Sequence, residues 1–251
     1  MTRHLCPARR AIAIGLISLT CAASHAVYAQ VPPAVSAAVA DANRPQADKD
    51  RDAGRKPAES VAFAGIKPGD KVADLLAGGG YFTRIFSKAV GDGGVVYATG
   101  FPPRPGMTGS SALETLAAEP AYKNVKVIRS APAELQLPEP VDVAWTSLNY
   151  HDVHNANGQD AFNKAVLNTL KPGGTYIVID HAAAPGSGAN DSKTLHRIDA
   201  ELVKKEIEAA GFKFVGEGDF LKNPGDPHTA SSSDAGIRGH TDQFVFKFVK
   251  P

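Results

Sequence analysis

The chain has 251 residues, 43% of them apolar and 21% charged, with a net charge of +1. This is the balance of a globular chain that buries a core, and it excludes a disordered or low-complexity polypeptide. Near-neutral charge leaves no electrostatic footprint for nucleic acid or an anionic lipid surface, so the expected partner is a small molecule.

Residues 1–29 read as a secretory signal peptide. Arg3, Arg9 and Arg10 form a basic start, Ala11 to Ala23 an apolar run, and Val27-Tyr28-Ala29 a small-residue cleavage site. Cleavage is expected after Ala29, with Ala26 as the alternative, which predicts a periplasmic or secreted protein. The leader holds three of the 27 Lys/Arg and none of the 26 Asp/Glu, so the remainder carries 24 against 26, a net charge of −2. Both cysteines, Cys6 and Cys21, fall in the leader, leaving the mature chain no disulfide, thiolate nucleophile or cysteine metal site. No later stretch is apolar enough to span a membrane.

Residues 30–66 read as an N-terminal helical extension. Val35 to Ala42 is a short helix, Asp48-Lys49-Asp50-Arg51-Asp52 a solvated charged face, and Pro57 the first residue of a helix that stops at Gly65. Residues 67–251 form the main domain. The expected strands are Lys71 to Leu76, Val95 to Thr99, Val125 to Ile128, Val141 to Thr146, Thr175 to Asp180, one beginning at Phe212, and Gln243 to Val249. Between them lie helices over Tyr81 to Val90, Ser111 to Glu119, Asp160 to Leu170 and Ala200 to Ala210, the last capped by Asp199. Lys171-Pro172-Gly173-Gly174 is a turn. Alternating strands and helices predict an α/β fold, doubly wound around a mostly parallel seven-stranded sheet. No crossover helix separates the last two strands, so the last is expected to run antiparallel.

The strongest chemical signal is the loop after the first strand. Asp74, Gly78 and Gly80 satisfy D-x-x-x-G-x-G, with Ala77 and Gly79 in the same turn, at the strand-end crevice where such sheets bind ligands. The dinucleotide fingerprint G-x-G-x-x-G fails, because Thr83 stands where its third glycine belongs.

The segment Asp74-Leu75-Leu76-Ala77-Gly78-Gly79-Gly80-Tyr81-Phe82-Thr83 resembles motif I of class I S-adenosylmethionine (SAM)-dependent methyltransferases. The Leu170-to-Gly174 turn and the terminal strand pair are similar to theirs. Arg51-Asp52, Arg55-Lys56-Pro57, Asn149-Tyr150-His151-Asp152, His196-Arg197-Ile198-Asp199 and Thr241-Asp242-Gln243-Phe244 resemble a group of exported bacterial methyltransferase-like proteins of uncharacterised substrate. The likeness covers about residues 45–251. It implies a Rossmann-like methyltransferase fold with SAM as cofactor, Asp74, Gly78 and Gly80 surrounding its methionine part. Three positions depart from the pattern. Leu76 replaces the usual first glycine, and the second and third strands end in Ala98-Thr99-Gly100 and Arg129-Ser130-Ala131 without acids. Thr99 and Ser130 are left to hydrogen-bond the cofactor, more weakly than a carboxylate.

After the fourth strand, His151 is the candidate general base and Asp152 its orienting partner, with Asn149 and Tyr150 toward the substrate. The alternative is a polar turn satisfied locally. His181, after the fifth strand, either lines the acceptor pocket or caps backbone groups. The loop 222–240, with Asp226 and His228, is a candidate lid. No metal site is expected, since His151 and His154, three apart, are read as following a strand rather than lying on a helix. Three functions remain: a SAM-dependent methyltransferase for a small-molecule acceptor, a non-catalytic binding protein on the same fold, and a metal-assisted hydrolase.

Overall fold

The computed structural model describes residues 1–2, 30–103 and 111–251. Nearly all of the expected signal peptide therefore lies outside the described residues. The chain begins with four short helices, α1 (Pro33–Val39), α2 (Gln46–Lys49), α3 (Asp52–Arg55) and α4 (Pro57–Ala64). Val35 and Ala38 of α1 and Val61 and Ala64 of α4 are buried in the main core. The N-terminal extension is thus a structural layer of the domain.

The charged run is not the solvated face it was expected to be. Arg44 is 2% exposed and grips Asp52 with both terminal nitrogens, at 2.9 and 2.6 Å. Asp52 also accepts from Tyr81 Oη at 2.5 Å, and Asp48 pairs with Arg84 at 3.1 Å. Two acids of the run thereby tie the extension to α5 (Tyr81–Val90), the helix after the glycine loop.

Seven strands, β1 (Lys71–Leu75), β2 (Val95–Gly100), β3 (Val125–Arg129), β4 (Val141–Ser147), β5 (Leu170–His181), β6 (Lys213–Gly218) and β7 (Gln243–Val249), form one sheet in the order β3-β2-β1-β4-β5-β7-β6. Strands β1 to β5 pair in parallel, and β7 runs antiparallel to both β5 and β6. Strand β5 takes in the expected Lys-Pro-Gly-Gly turn. The ladder absorbs it where Val141 pairs Leu170 and Val143 pairs Thr175, a bulge of the β5 chain.

Helices cover both faces. On one, Phe82 and Phe86 of α5 pack on Trp145, with ring centroids 4.7 and 5.2 Å away. On the other, Phe162 and Val166 of α8 (Gln159–Thr169) and Val203 and Ile207 of α9 (Ala200–Ala209) share a core with Tyr176, Phe244, Phe246 and Phe248. Each such side chain contributes about 1.5–3 kcal/mol on full burial. Helix α6 (Ala112–Ala118) begins with a capping box between Ser111 and Glu114, and Asp199 caps α9 by accepting from Glu201 N–H. The segment after β4 is a helix, α7 (Tyr150–Asn155), where the sequence predicted a loop. Among the described residues no helix is long and apolar enough to cross a membrane.

Candidate active site

The parallel order leaves the C-terminal ends of β1 to β4 along one edge, with the first cavity above them. It measures about 570 Å³ and is lined by Leu76, Gly78, Gly100, Arg129, Asn149 and Asp152 among others. This is within the usual range for a small-molecule site, roughly 300–1,000 Å³. Leu76 adopts a left-handed φ of 51°, the conformation glycine takes most easily. It is held from both sides: its N–H donates to Thr99 Oγ1 at 2.9 Å, and its carbonyl accepts from Asn149 Nδ2 at 3.2 Å.

The structure divides the predicted cofactor residues. Gly78 faces the cavity, and a Cβ there would meet nothing within 4 Å. Gly80 is turned toward α6, where a Cβ would lie 2.5 Å from Leu116 Cδ1. The missing side chain lets α5 pack closely against α6. Asp74 is 4% exposed, accepts from Thr83 Oγ1 at 2.6 Å, and stands behind the loop. Burial pushes its carboxyl up to about 7. Thr99 is 4% exposed and serves Leu76. Ala77 links the loop to Thr99 by its N–H at 2.9 Å, Gly79 accepts from Arg84, and Ser130 N–H donates to the Gly100 carbonyl. Thr99 and Ser130 are not among the residues lining the cavity.

His151 is 4% exposed, and its orienting partner is Asp180, not Asp152. His151 Nδ1 lies 2.9 and 3.1 Å from the two Asp180 carboxylate oxygens, and the His151 backbone N–H donates to Oδ2 at 2.8 Å. Asp152 Oδ1 stands 3.6 Å from His151 Nε2, and its side chain is 59% exposed. Burial depresses the imidazole, but the charge and hydrogen bond of Asp180, with the charge of Asp152, together outweigh it and raise its pKa. Burial likewise raises Asp180, and the charges of His151 and His181 with the hydrogen bonds from His151 together hold it below its ordinary value. With Nδ1–H donated to Asp180, neutral His151 carries its lone pair on Nε2. Asp180 ends the buried run Ile177-Val178-Ile179, and a lone acid closing such a strand was the available signal for it.

Tyr150 is not among the residues lining the cavity. It is fully buried, donates to Glu206 Oε2 at 3.0 Å and accepts from Asn163 at 2.8 Å. His154 lies on α7 with His151 but pairs with Glu206 at 3.1 Å. The grouping that does converge is His151, Asp152 and His196, whose ligand-type atoms lie within 4.8 Å of one another. Asp152 and His196 are both exposed, and His151 Nε2 would be the atom any ion took.

A second cavity, about 800 Å³, lies over the ends of β4, β5 and β7, where Leu148, His181 and Gln243 line it. Its outer wall is residues 50–55 and 232–240. Leu148 lines this cavity and its neighbour Asn149 the first, so both border the end of β4. His181 Nδ1 is 2.7 Å from Thr241 Oγ1, and burial lowers its pKa to about 4. The candidate lid is anchored: Asp226 forms a fully buried pair with Arg197 at 2.8 Å, and His228 reaches Asp242 at 3.1 Å.

No family model and no curated protein matches the chain. Solved structures do. A SAM-dependent methyltransferase from Aquifex aeolicus aligns with TM-score 0.55 and 18% identity, over 83% of this chain and 99% of that one. The [4+2]-cyclase SpnF aligns with TM-score 0.57 and 16% identity, over 82% and 81%. The glycopeptide N-methyltransferase MtfA, complexed with sinefungin, aligns with TM-score 0.55 and 15% identity, over 80% and 86%. The fold is that of the class I SAM-dependent methyltransferases. One of the three proteins on this methyltransferase fold is a cyclase, so the fold alone does not decide the activity.

The first cavity keeps the glycine turn of the methyltransferase fold but lacks carboxylates at the ends of β2 and β3. Arg129 stands there instead, bonded to Ser111 Oγ and 3.4 Å from Glu114 Oε1. A ribose or adenine in this cavity would meet apolar Phe101, Leu113 and Pro132, with Glu114 as the acid nearest Arg129.

Proposed function

We propose that the protein is an exported SAM-dependent methyltransferase acting on a small-molecule acceptor. The observation that carries this reading is the first cavity, which runs from Gly78 to Asn149 and Asp152, the neighbours of His151. Its size suits a nucleoside-amino-acid ligand, and Gly78 leaves the backbone open to it. The sinefungin complex of MtfA, on the same fold, supports SAM as the cofactor.

Bound SAM would supply an electrophilic methyl group, its sulfur keeping the electron pair of the bond broken as the acceptor–carbon bond formed. His151 Nε2 takes the acceptor proton, and Asp180 stabilises the imidazolium that results. The remaining contribution is positioning: Leu76 and Asn149 hold the glycine turn against the end of β4.

Calorimetric titration with S-adenosylhomocysteine tests the reading. Saturable micromolar binding, lost in Gly78→Val, is the expected result. A folded protein that binds neither SAM nor S-adenosylhomocysteine would favour the second reading, a non-catalytic binding protein, which Arg129 at the acid-free end of β3 supports.

A further inference from the structure

We infer that the second cavity is an acceptor site for a small oxyanion, a carboxylate or phosphate compound, recognised by Arg55. This rests on the methyltransferase reading for the word acceptor, though not for the anion site itself.

Arg55 lines the cavity, and among the described residues it forms no ion pair. Its side-chain hydrogen bond is a long one, 3.4 Å to Ser147 Oγ at the end of β4. The guanidinium instead lies over aromatic faces, 4.6 Å from the Tyr81 centroid and 5.1 Å from that of Phe82. This packing fixes the planar fork while leaving donors unused. Burial and the charge of Arg51 lower its pKa to about 10, so it remains a cation at neutral pH.

The other charges repeat the sign. Arg51 and Arg238 line the same cavity, against one acid, Asp50. That carboxylate already accepts from Gln46 Nε2 at 2.7 Å. Asp52, the acid on the adjoining turn, is taken by Arg44 and Tyr81. Arg51 has Asp48 4.0 Å away, and Arg55 and Arg238 are the cavity cations that form no ion pair among the described residues. An oxyanion matches a guanidinium fork with paired, charge-assisted hydrogen bonds. Its position suits an acceptor, since Leu148 places it at the end of β4, beside Asn149 of the first cavity.

The test is calorimetry on the whole protein, with benzoate and inorganic phosphate as probes and benzamide as the neutral analogue, with and without S-adenosylhomocysteine. One or both anions should bind saturably, the better one naming the acid class, and benzamide should not. Arg55→Gln should weaken anion binding by about tenfold or more, with S-adenosylhomocysteine affinity and thermal midpoint kept and Arg55→Lys intermediate. Binding of neither anion while S-adenosylhomocysteine binds would overturn the anion site and leave the methyltransferase reading standing. Benzamide binding as well as benzoate would also overturn it. So would an Arg55→Gln protein that loses S-adenosylhomocysteine and keeps the anion, since Arg55 would then serve the cofactor. Anion binding that needs Arg55 in a protein without S-adenosylhomocysteine affinity would support the site and remove the methyltransferase reading.

Discussion

Asp180 holds His151 through both its ring and its backbone, with Nδ1 at 2.9 Å from Oδ1 and the main-chain N–H at 2.8 Å from Oδ2. One carboxylate therefore sets the tautomer, the ring plane and the start of α7 together. The neighbouring Asp152 side chain is too exposed to do the same.

This arrangement predicts the titration of His151. Its pKa is raised by Asp180, so the ring should hold its proton above the ordinary 6.5. In Asp180→Asn the charge is lost while burial remains, and the midpoint should fall below that value. Ring-proton NMR across pH 5–9 reads both. The same substitution should lower turnover by about 10²-fold or more, with the acid limb of the rate profile displaced to lower pH. An unchanged NMR midpoint would remove Asp180 from the mechanism.

One of the two loop glycines should report on binding and the other on stability alone. Gly78→Val adds its side chain where nothing lies within 4 Å, inside the first cavity, and should cut S-adenosylhomocysteine affinity by about tenfold or more, with about 1–3 kcal/mol of backbone strain at its φ of +57°. Gly80→Ala puts a methyl 2.5 Å from Leu116 at a φ of +83°, and should cost about 1–3 kcal/mol of stability. Urea unfolding and calorimetry on both variants check the division.

Asp74 should set a pH dependence of folding. Its folded pKa is raised from 3.8 to about 7, so the folded state binds the proton more tightly than the unfolded chain. Stability from this group is greatest below 3.8 and is lost as pH rises through about 7. Asp74→Asn, which keeps an acceptor for Thr83, should therefore be more stable than the parent at pH 8 by about 1–3 kcal/mol, and close to it at pH 4. Urea denaturation at the two pH values measures the difference. A destabilised Asp74→Asn at pH 8 would mean that the folded protein favours the carboxylate, with its pKa lowered and not raised.

Added Zn²⁺ tests the remaining histidine chemistry. Asp152 and His196 are open to water, and the expected result is no change of thermal midpoint with stoichiometric zinc or with a chelator. A saturable zinc shift lost in His196→Ala would place an ion on the nitrogen assigned here to the proton, and the metal-assisted reading would replace the base.

The architecture was legible because its signals are local. Tyr81–Val90 and Gln243–Val249 announce themselves by periodicity, and the Asp199 cap by one residue type in one place. The site was legible only as far as strand ends predict a crevice. What decides it are pairings over long sequence separation. Asp180 reaches His151 across 29 positions, and Arg55 reaches Ser147 across 92. Nearness in sequence pointed to Asp152 as the partner of His151, but the helical turn of α7 and the register of β4 on β5 put Asp180 there instead. The charged run misled because its partners lie outside it. Asp48 and Asp52 look solvated until Arg84 and Arg44 are brought against them.

The second cavity draws its outer wall from residues 50–55 and 232–240, near the two extremes of the described chain, and Gly54 meets the Gly239 carbonyl so closely that no side chain fits between them. A fragment beginning near residue 67 would lose Arg55 with half of that wall, and with it the Val35, Ala38, Val61 and Ala64 side chains that complete the main core. The N-terminal extension therefore closes the core and walls the second cavity at once.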